Sequence, residues 1–284
     1  MATKDLTRRD GSRITLAAHL SMLFAELPCV ERPAAAAKAG FTLVETWWPP
    51  DGLADAWGDA VLESALSVCS LNSDAGDIAA GERGFLNLPE RRDEVIAAFR
   101  VAVALAVRVG APFVNLPVGR DSGRVSRDEQ LRVVADTLAG CCAIAREAGI
   151  RILIEAINDL DVPGYLVATP SEAASLIDAV ASEELRLLYD AYHVARMGAD
   201  PWSDVVRFLP LIGHVHYADC PGRGAPGTGT VDVRRFLEAL EHGGYAGAVG
   251  LEFNPSPLTH ETLVEIAHLQ PWTPPLATGG RAGR

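Results

Sequence analysis

The sequence predicts a single α/β domain, a closed (β/α)8 barrel, and three observations carry that expectation. Short apolar runs rich in Val, Ile and Leu alternate with longer helical patterns along nearly the whole chain, eight times over. Continuous alternation of this kind gives a parallel sheet with right-handed crossovers. The chain has 284 residues, 49 % of them hydrophobic. That length alone fits one barrel of about 250 residues as well as two smaller domains; the eight units favour the barrel. Finally, the last four apolar runs, RILIEAIN, LRLLYDAYH, IGHVHYAD and AVGLEFNP, each end in a carboxylate or an imidazole: Glu155, Asp190, His216 and Glu252. In a barrel of parallel strands those ends meet on one face. No GxGxxG follows the first strand to suggest an open dinucleotide-binding sheet.

The first strand is ITLAAHL, and ERPAAAAKAG follows as a helix ending at Gly40. LVETWW forms the second strand, DAVLESAL a helix, and SVCSLN the third strand. SDAGDIAAGERGFLNL (73–88) is a loop, long for a compact barrel, and such loops often act as lids. PERRDEVIAAFRVAVALAVRVG is the next helix, with Pro89 near its first turn and Gly110 at its end. FVNLPV is strand four. Its helix, SRDEQLRVVADTLAGCCAIAREAG, has Ser126 as N-cap and Asp128 and Glu129 facing the positive end of the dipole. RILIEA leads to a helix starting near Thr169-Pro170-Ser171-Glu172, and LRLLYD to one around WSDVVRFLP. GHVHYA is followed by VDVRRFLEALEHGG, and AVGLEF by HETLVEIAHLQ. The catalytic barrel is thus expected at 14–271, between disordered tails at 1–13 and 272–284.

A net charge of −12 argues against nucleic-acid partners. Cys29, Cys69, Cys141, Cys142 and Cys220 are odd in number and lack CxxC spacing, as expected of reduced thiols in a cytoplasmic protein. No apolar run follows the charged MATKDLTRRDGSR and none reaches membrane-spanning length, so neither a signal peptide nor a membrane span is expected.

Three hard oxygen donors and one imidazole suit a divalent ion, Mg²⁺ or Mn²⁺ first, with Co²⁺ and Zn²⁺ as alternatives. Strands buried on both faces do not end in carboxylates without a partner, because an unpaired buried charge is costly. Glu155 and Glu252 are the expected catalytic pair. A bound ion polarises a carbonyl and its neighbouring hydroxyl. One glutamate can then remove the proton to give a cis-enediolate, while the other, or a hydroxyl, returns it at the adjacent carbon. His193, three residues past Asp190, would bond a substrate oxygen or cap a loop. Arg223 is the one cation in the glycine-rich run ADCPGRGAPGTGTVD, and would either clamp a carboxylate in a bidentate way or stand in solvent. Glu82 and Arg83 lie between glycines of the 73–88 loop, and Trp47 and Trp48 close strand two as a pocket wall or as core.

At these residues the chain resembles a known family. AGDIAAGERG, LIEAINDLDVPGY, YDAYHVARM, HYADCPGRGAPGTGTVD and GLEFNP resemble the hydroxypyruvate isomerases within the xylose-isomerase-like barrels, as does LAAHLSMLFAELPCVERPAAAAKAGF at the front. The likeness spans about residues 14–260. It implies a (β/α)8 barrel, a divalent ion, and interconversion of hydroxypyruvate with tartronate semialdehyde, or of a homologue such as 2-oxo-tetronate. It makes Glu155 and Glu252 the acid/base pair, with Asp190 and the strand-seven residue completing the ion's shell. The candidate substrate contacts are then His193, Arg223, Arg83, Glu82, Asn72, Asp161 and Trp48.

Four positions depart from that family's pattern. His216 stands where Gln is usual and resembles the ketose 3-epimerases, which keeps a ligand. Leu71 replaces a common His, Asn254 a Lys, and His19 an Asn. The losses at 71 and 254 remove polar contacts, so a ketose 3-epimerase or a sugar-acid dehydratase using the same shell is the alternative. A nuclease on this barrel would need three clustered ions and a basic groove, and a non-catalytic scaffold would not need the shell. The expected partner is a small oxo acid or sugar, and a homo-oligomer is compatible with the sequence.

Overall fold

In a computed structural model the protein is described from residue 14 to residue 266. The expected tails at 1–13 and 272–284, and the end of the last helical segment, lie outside the described residues. Eight strands close a barrel in chain order: β1 (Thr15–His19), β2 (Leu43–Thr46), β3 (Ser67–Asn72), β4 (Phe113–Asn115), β5 (Arg151–Glu155), β6 (Leu185–Asp190), β7 (Ile212–Tyr217) and β8 (Ala248–Leu251). Every neighbouring pair is parallel, and β1 pairs with β8 to close the ring.

The helices are α1 (Arg32–Lys38), α2 (Ala54–Glu63), α3 (Arg92–Val109), α4 (Arg127–Ala148), α5 (Pro170–Val180), α6 (Ala191–Arg196), α7 (Pro201–Asp204), α8 (Val233–His242) and α9 (Thr259–Glu265). Their ends follow the expected chemistry. Ser126 accepts from Glu129 N to cap α4, and Thr169 with Glu172 forms a reciprocal capping box on α5. Gly110 and Gly149 end α3 and α4 in left-handed conformations that cost glycine little. Between barrel and helices lie Trp57, Phe99, Leu138 and Phe236, none more than 2 % exposed.

Several boundaries differ from expectation: α2, expected as DAVLESAL, runs over Ala54–Glu63, β8 stops at Leu251, and three others lie beside the mouth of the barrel. β2 stops at Thr46, because Trp47 N donates to Ser21 Oγ and leaves the ladder. β4 stops at Asn115, two residues before Pro117, which has no N–H to give. The helix expected around WSDVVRFLP is preceded by α6, which begins at once after β6. There the Asp190 carboxylate accepts from Tyr192 N and His193 N, so the strand's last residue is also the helix's N-cap.

The 73–88 segment carries no strand or α-helix among the described residues, yet it is tethered. Phe85 bridges Gly119, and at Gly84 (φ 93°) a Cβ would sit 1.9 Å from Pro117 O. Only glycine allows that approach.

Candidate active site

Each strand of the second half delivers one donor. Glu155 ends β5, Asp190 ends β6, His216 is the penultimate residue of β7, and Glu252 directly follows β8. One ligand atom from each lies within 4.8 Å of all the others, and the four residues are 2–6 % exposed. His216 Nδ1 faces Glu252 Oε2 at 3.1 Å and Glu155 Oε1 at 3.9 Å, yet makes no hydrogen bond. A buried imidazole nitrogen aimed without a hydrogen bond at two carboxylates is what an ion-binding shell requires. Neighbouring ligands at metal bonds of 2.0–2.1 Å stand roughly 3.0–3.4 Å apart, so the 3.1 Å edge also fits. The residues present fit a divalent ion.

The surrounding charges set the carboxylates apart. Burial opposes the ionisation of Glu252, but the Arg223 guanidinium, His216 and His19 outweigh it and hold its carboxyl well below the usual range. Burial and the Glu252 charge push Glu155 upward. His216 is raised, because Glu45 and Glu252 outweigh the burial that disfavours its charge. Arg223 donates from Nη2 to Glu252 Oε2 and from Nε to Glu252 O, and Nη2 lies 3.9 Å from Asp190 Oδ2.

His193 stands beside the donors, its Nε2 3.6 Å from Asp190 Oδ2 and 3.8 Å from Glu155 Oε1. Its Nδ1 receives Asn158 Nδ2 at 2.6 Å and Asn158 N at 3.3 Å. Both are N–H donors, so Nδ1 is the acceptor and Nε2 carries the ring proton into the site. Burial lowers this imidazole's pKa, which keeps it neutral. Asp161 accepts from Asn158 Nδ2, Tyr192 Oη and Arg196 Nε, and so holds Asn158 against the ring.

A cavity of about 360 Å³ opens over these groups, with Trp47, Trp48, Asn72, Arg83 and Asp161 on its walls. Trp47 Nε1 donates to Glu252 Oε1 at 2.8 Å, so this tryptophan touches the shell as well as the wall. Arg83 reaches the rim with its Nη1 bound to Ile78 O and Glu82 O. Glu82 is not on the wall. Its carboxylate takes Arg91 and Asp77 N instead. Among the departures, Leu71 is wholly buried, Asn254 is exposed with its N–H on Arg223 O, and His19 lies 3.5 Å from Glu252 Oε1.

Sequence reasoning missed Glu45, Asn115, Asn158 and His214. Glu45 ends an apolar run as the other four donors do, so the same rule applied to LVETWW would have found it. Asn115 donates to Glu155 Oε2 at 3.1 Å. Asp219, just past β7, is fully buried and pins the Arg223 loop by accepting from Cys220 N, Val231 N and Gly227 N. Asp219→Ala would strand three N–H groups at about 1–3 kcal/mol each. A loss of about 3 kcal/mol or more in urea unfolding is expected, and a loss below 1 kcal/mol would contradict this role.

The family model for the xylose isomerase-like TIM barrel matches residues 33–272. The chain is similar to the hydroxypyruvate isomerase of Escherichia coli, at 33 % identity over 254 residues, covering 88 % of this chain and 97 % of that protein. It is 29 % identical to the 2-oxo-tetronate isomerase of Cupriavidus necator, covering 84 % and 92 %. A crystal structure titled AP endonuclease, family 2, from Brucella melitensis aligns with a TM-score of 0.85 at 29 % identity, covering 90 % and 98 %.

Proposed function

The chain belongs to the xylose isomerase-like TIM barrel family, among its hydroxypyruvate isomerases, and we propose that it is a metal-dependent isomerase of a three- or four-carbon hydroxy-oxo acid. The observation that carries this reading is the convergence of Glu155, Asp190, His216 Nδ1 and Glu252 beneath a cavity that also presents Arg223 and the Nε2–H of His193. The names of the Escherichia coli and Cupriavidus necator relatives supply the substrate class, hydroxypyruvate or 2-oxo-tetronate.

Those four residues would hold the ion. When bound, a divalent ion polarises the substrate carbonyl and the neighbouring hydroxyl and makes the intervening C–H acidic. Glu252, held ionised by Arg223 and His216, is placed to accept that proton. Glu155, the other glutamate of the shell, is placed to return one to the adjacent carbon. His193 donates its Nε2–H to a substrate oxygen, and the Arg223 donors not committed to Glu252 meet the carboxylate. Trp47 and Trp48 exclude water from the enediolate.

Protein loaded with Mg²⁺ or Mn²⁺ and followed by proton NMR in D₂O should convert hydroxypyruvate or 2-oxo-tetronate, incorporating deuterium at the exchanged carbon. A chelator should abolish that turnover. Conversion of free ketoses alone would replace this reading with the 3-epimerase one, which His216 favours through its likeness to those enzymes. The nuclease title belongs to the Brucella protein. Cleavage of abasic DNA by this acidic chain, with no turnover of either acid, would overturn the isomerase reading.

A further inference from the structure

The proposed shell leaves one buried cluster unexplained. Glu45, at the end region of β2, is 1 % exposed and reaches across the barrel interior to strands that β2 does not pair with. Its Oε2 takes the Nε2 of His214 at 2.5 Å and lies 3.5 Å from Cys69 Sγ. Its Oε1 makes no hydrogen bond but lies 3.2 Å from Nε2 of His216, the nitrogen turned away from the other three donors, so it acts on that nitrogen through its charge. Room for the carboxylate comes from Gly250 in β8, where a Cβ would fall 1.7 Å from Oε1. No backbone conformation peculiar to glycine is needed at Gly250, so the missing side chain there serves space.

We propose that Glu45 is a positioning residue for the ion site. On this view it keeps the proton of His216 on Nε2, so that Nδ1 presents its lone pair to the ion, while His214 and Cys69 lock the carboxylate itself. The inference rests on the metal reading above and deepens it. Imidazole has one proton in its neutral form, and a carboxylate facing one nitrogen decides which nitrogen stays bare. Outer partners of this kind usually change metal affinity by about 10–100-fold.

Glu45, Cys69 and His214 also lie close enough together to suggest an ion of their own. Their geometry argues otherwise. An oxygen and a nitrogen 2.5 Å apart share a proton, whereas two ligands of one ion at bonds of about 2.0–2.1 Å stand farther apart. Burial and the Glu45 charge also hold the Cys69 thiol protonated.

Two substitutions test the assignment. Glu45→Gln turns one oxygen into an NH₂ donor. Whichever ring receives that donor must accept at Nε2 and carry its proton on Nδ1. Gly250→Ala keeps Glu45 but drives its carboxylate off Oε1's present position, and it serves if the first variant does not fold. Mn²⁺ binding is measured by calorimetry on protein whose metal-free melting shows it folded, and histidine ring ¹⁵N shifts are read on the Zn²⁺ form. Wild type should bind one ion with His216 protonated at Nε2. Each variant should bind it about 10–100-fold more weakly, since an outer partner is lost. Affinities within twofold of wild type in a folded variant would overturn the inference alone. So would two ions in wild type falling to one in Glu45→Gln, which would make Glu45 a ligand. A wild type that binds no ion would overturn the metal reading, and this inference with it.

Discussion

Replacing Glu252 by Gln is expected to cut turnover by about 10²–10⁴-fold, the usual worth of a positioned acid or base, while the barrel stays folded. Glutamine keeps the volume, and its oxygen still accepts from Trp47 Nε1. It cannot take a proton. Arg223 retains Asp190 nearby, so the guanidinium is not left without an anion. Glu155→Gln should be as damaging, because it removes the group placed to return the proton, although Asn115 can still donate to the amide oxygen. Measuring kcat at saturating metal separates lost chemistry from lost ion. A fall of less than about tenfold under those conditions would contradict the two-carboxylate mechanism.

Removal of Arg223 is expected to lower kcat/KM for hydroxypyruvate by roughly 10- to 100-fold, the equivalent of about 1.5–3 kcal/mol for hydrogen bonds to a charged group. Arg223→Lys should recover little of this. The guanidinium already spends Nε and Nη2 on Glu252 and must use its other donors on the substrate, and a single ammonium cannot divide itself between two carboxylates in fixed planes. Arg223 also stands at φ 54°, a left-handed position for a residue with a side chain, in a loop fixed by the buried Asp219. Its placement is therefore built by the backbone. A neutral ketose, having no carboxylate, should feel the substitution much less. Equal losses on acid and ketose would assign Arg223 to Glu252 rather than to the substrate, and an unchanged kcat/KM would remove it from the site.

The fold was legible because two periods are easy to read: apolar runs of strand length and helices punctuated by Ser126, Thr169, Gly110 and Gly149. The four donors were legible because a charged or ionisable residue ending an apolar strand contradicts its surroundings. Glu45 obeys the same rule. It was passed over because Trp47 and Trp48 extend its run and make it look like an interior residue of a longer strand. The Asn158 amide that sets the His193 tautomer comes from a different loop, and no local pattern links them. α6 was missed because Asp190 was already read as a ligand. A carboxylate with one oxygen on a helix N-cap and the other in a site has no distinct signature in sequence. Nor did composition reveal that Glu82 turns away from the cavity while its neighbour Arg83 lines it, since that depends on the Arg91 partner.

The barrel's second half carries all four of the clustered donors. The strands from β5 to β8 end in the four donors, whereas the ends of β2 and β3 supply Trp47, Trp48 and Asn72 to the cavity wall. The second half also lends the cavity Asp161, His193 and Arg223, so part of the wall is bound up with the donors and part, after β2 and β3, is not. The segments after β2 and β3 can therefore be rewritten to reshape one wall while the donors and Arg223 stay, and a protein engineer could graft those segments from a relative with another substrate. Glu45 and Trp47 tie that wall to the donors, the one through His216 and the other through Glu252. A graft that begins after Trp47 keeps both ties, and one that begins before Glu45 keeps neither.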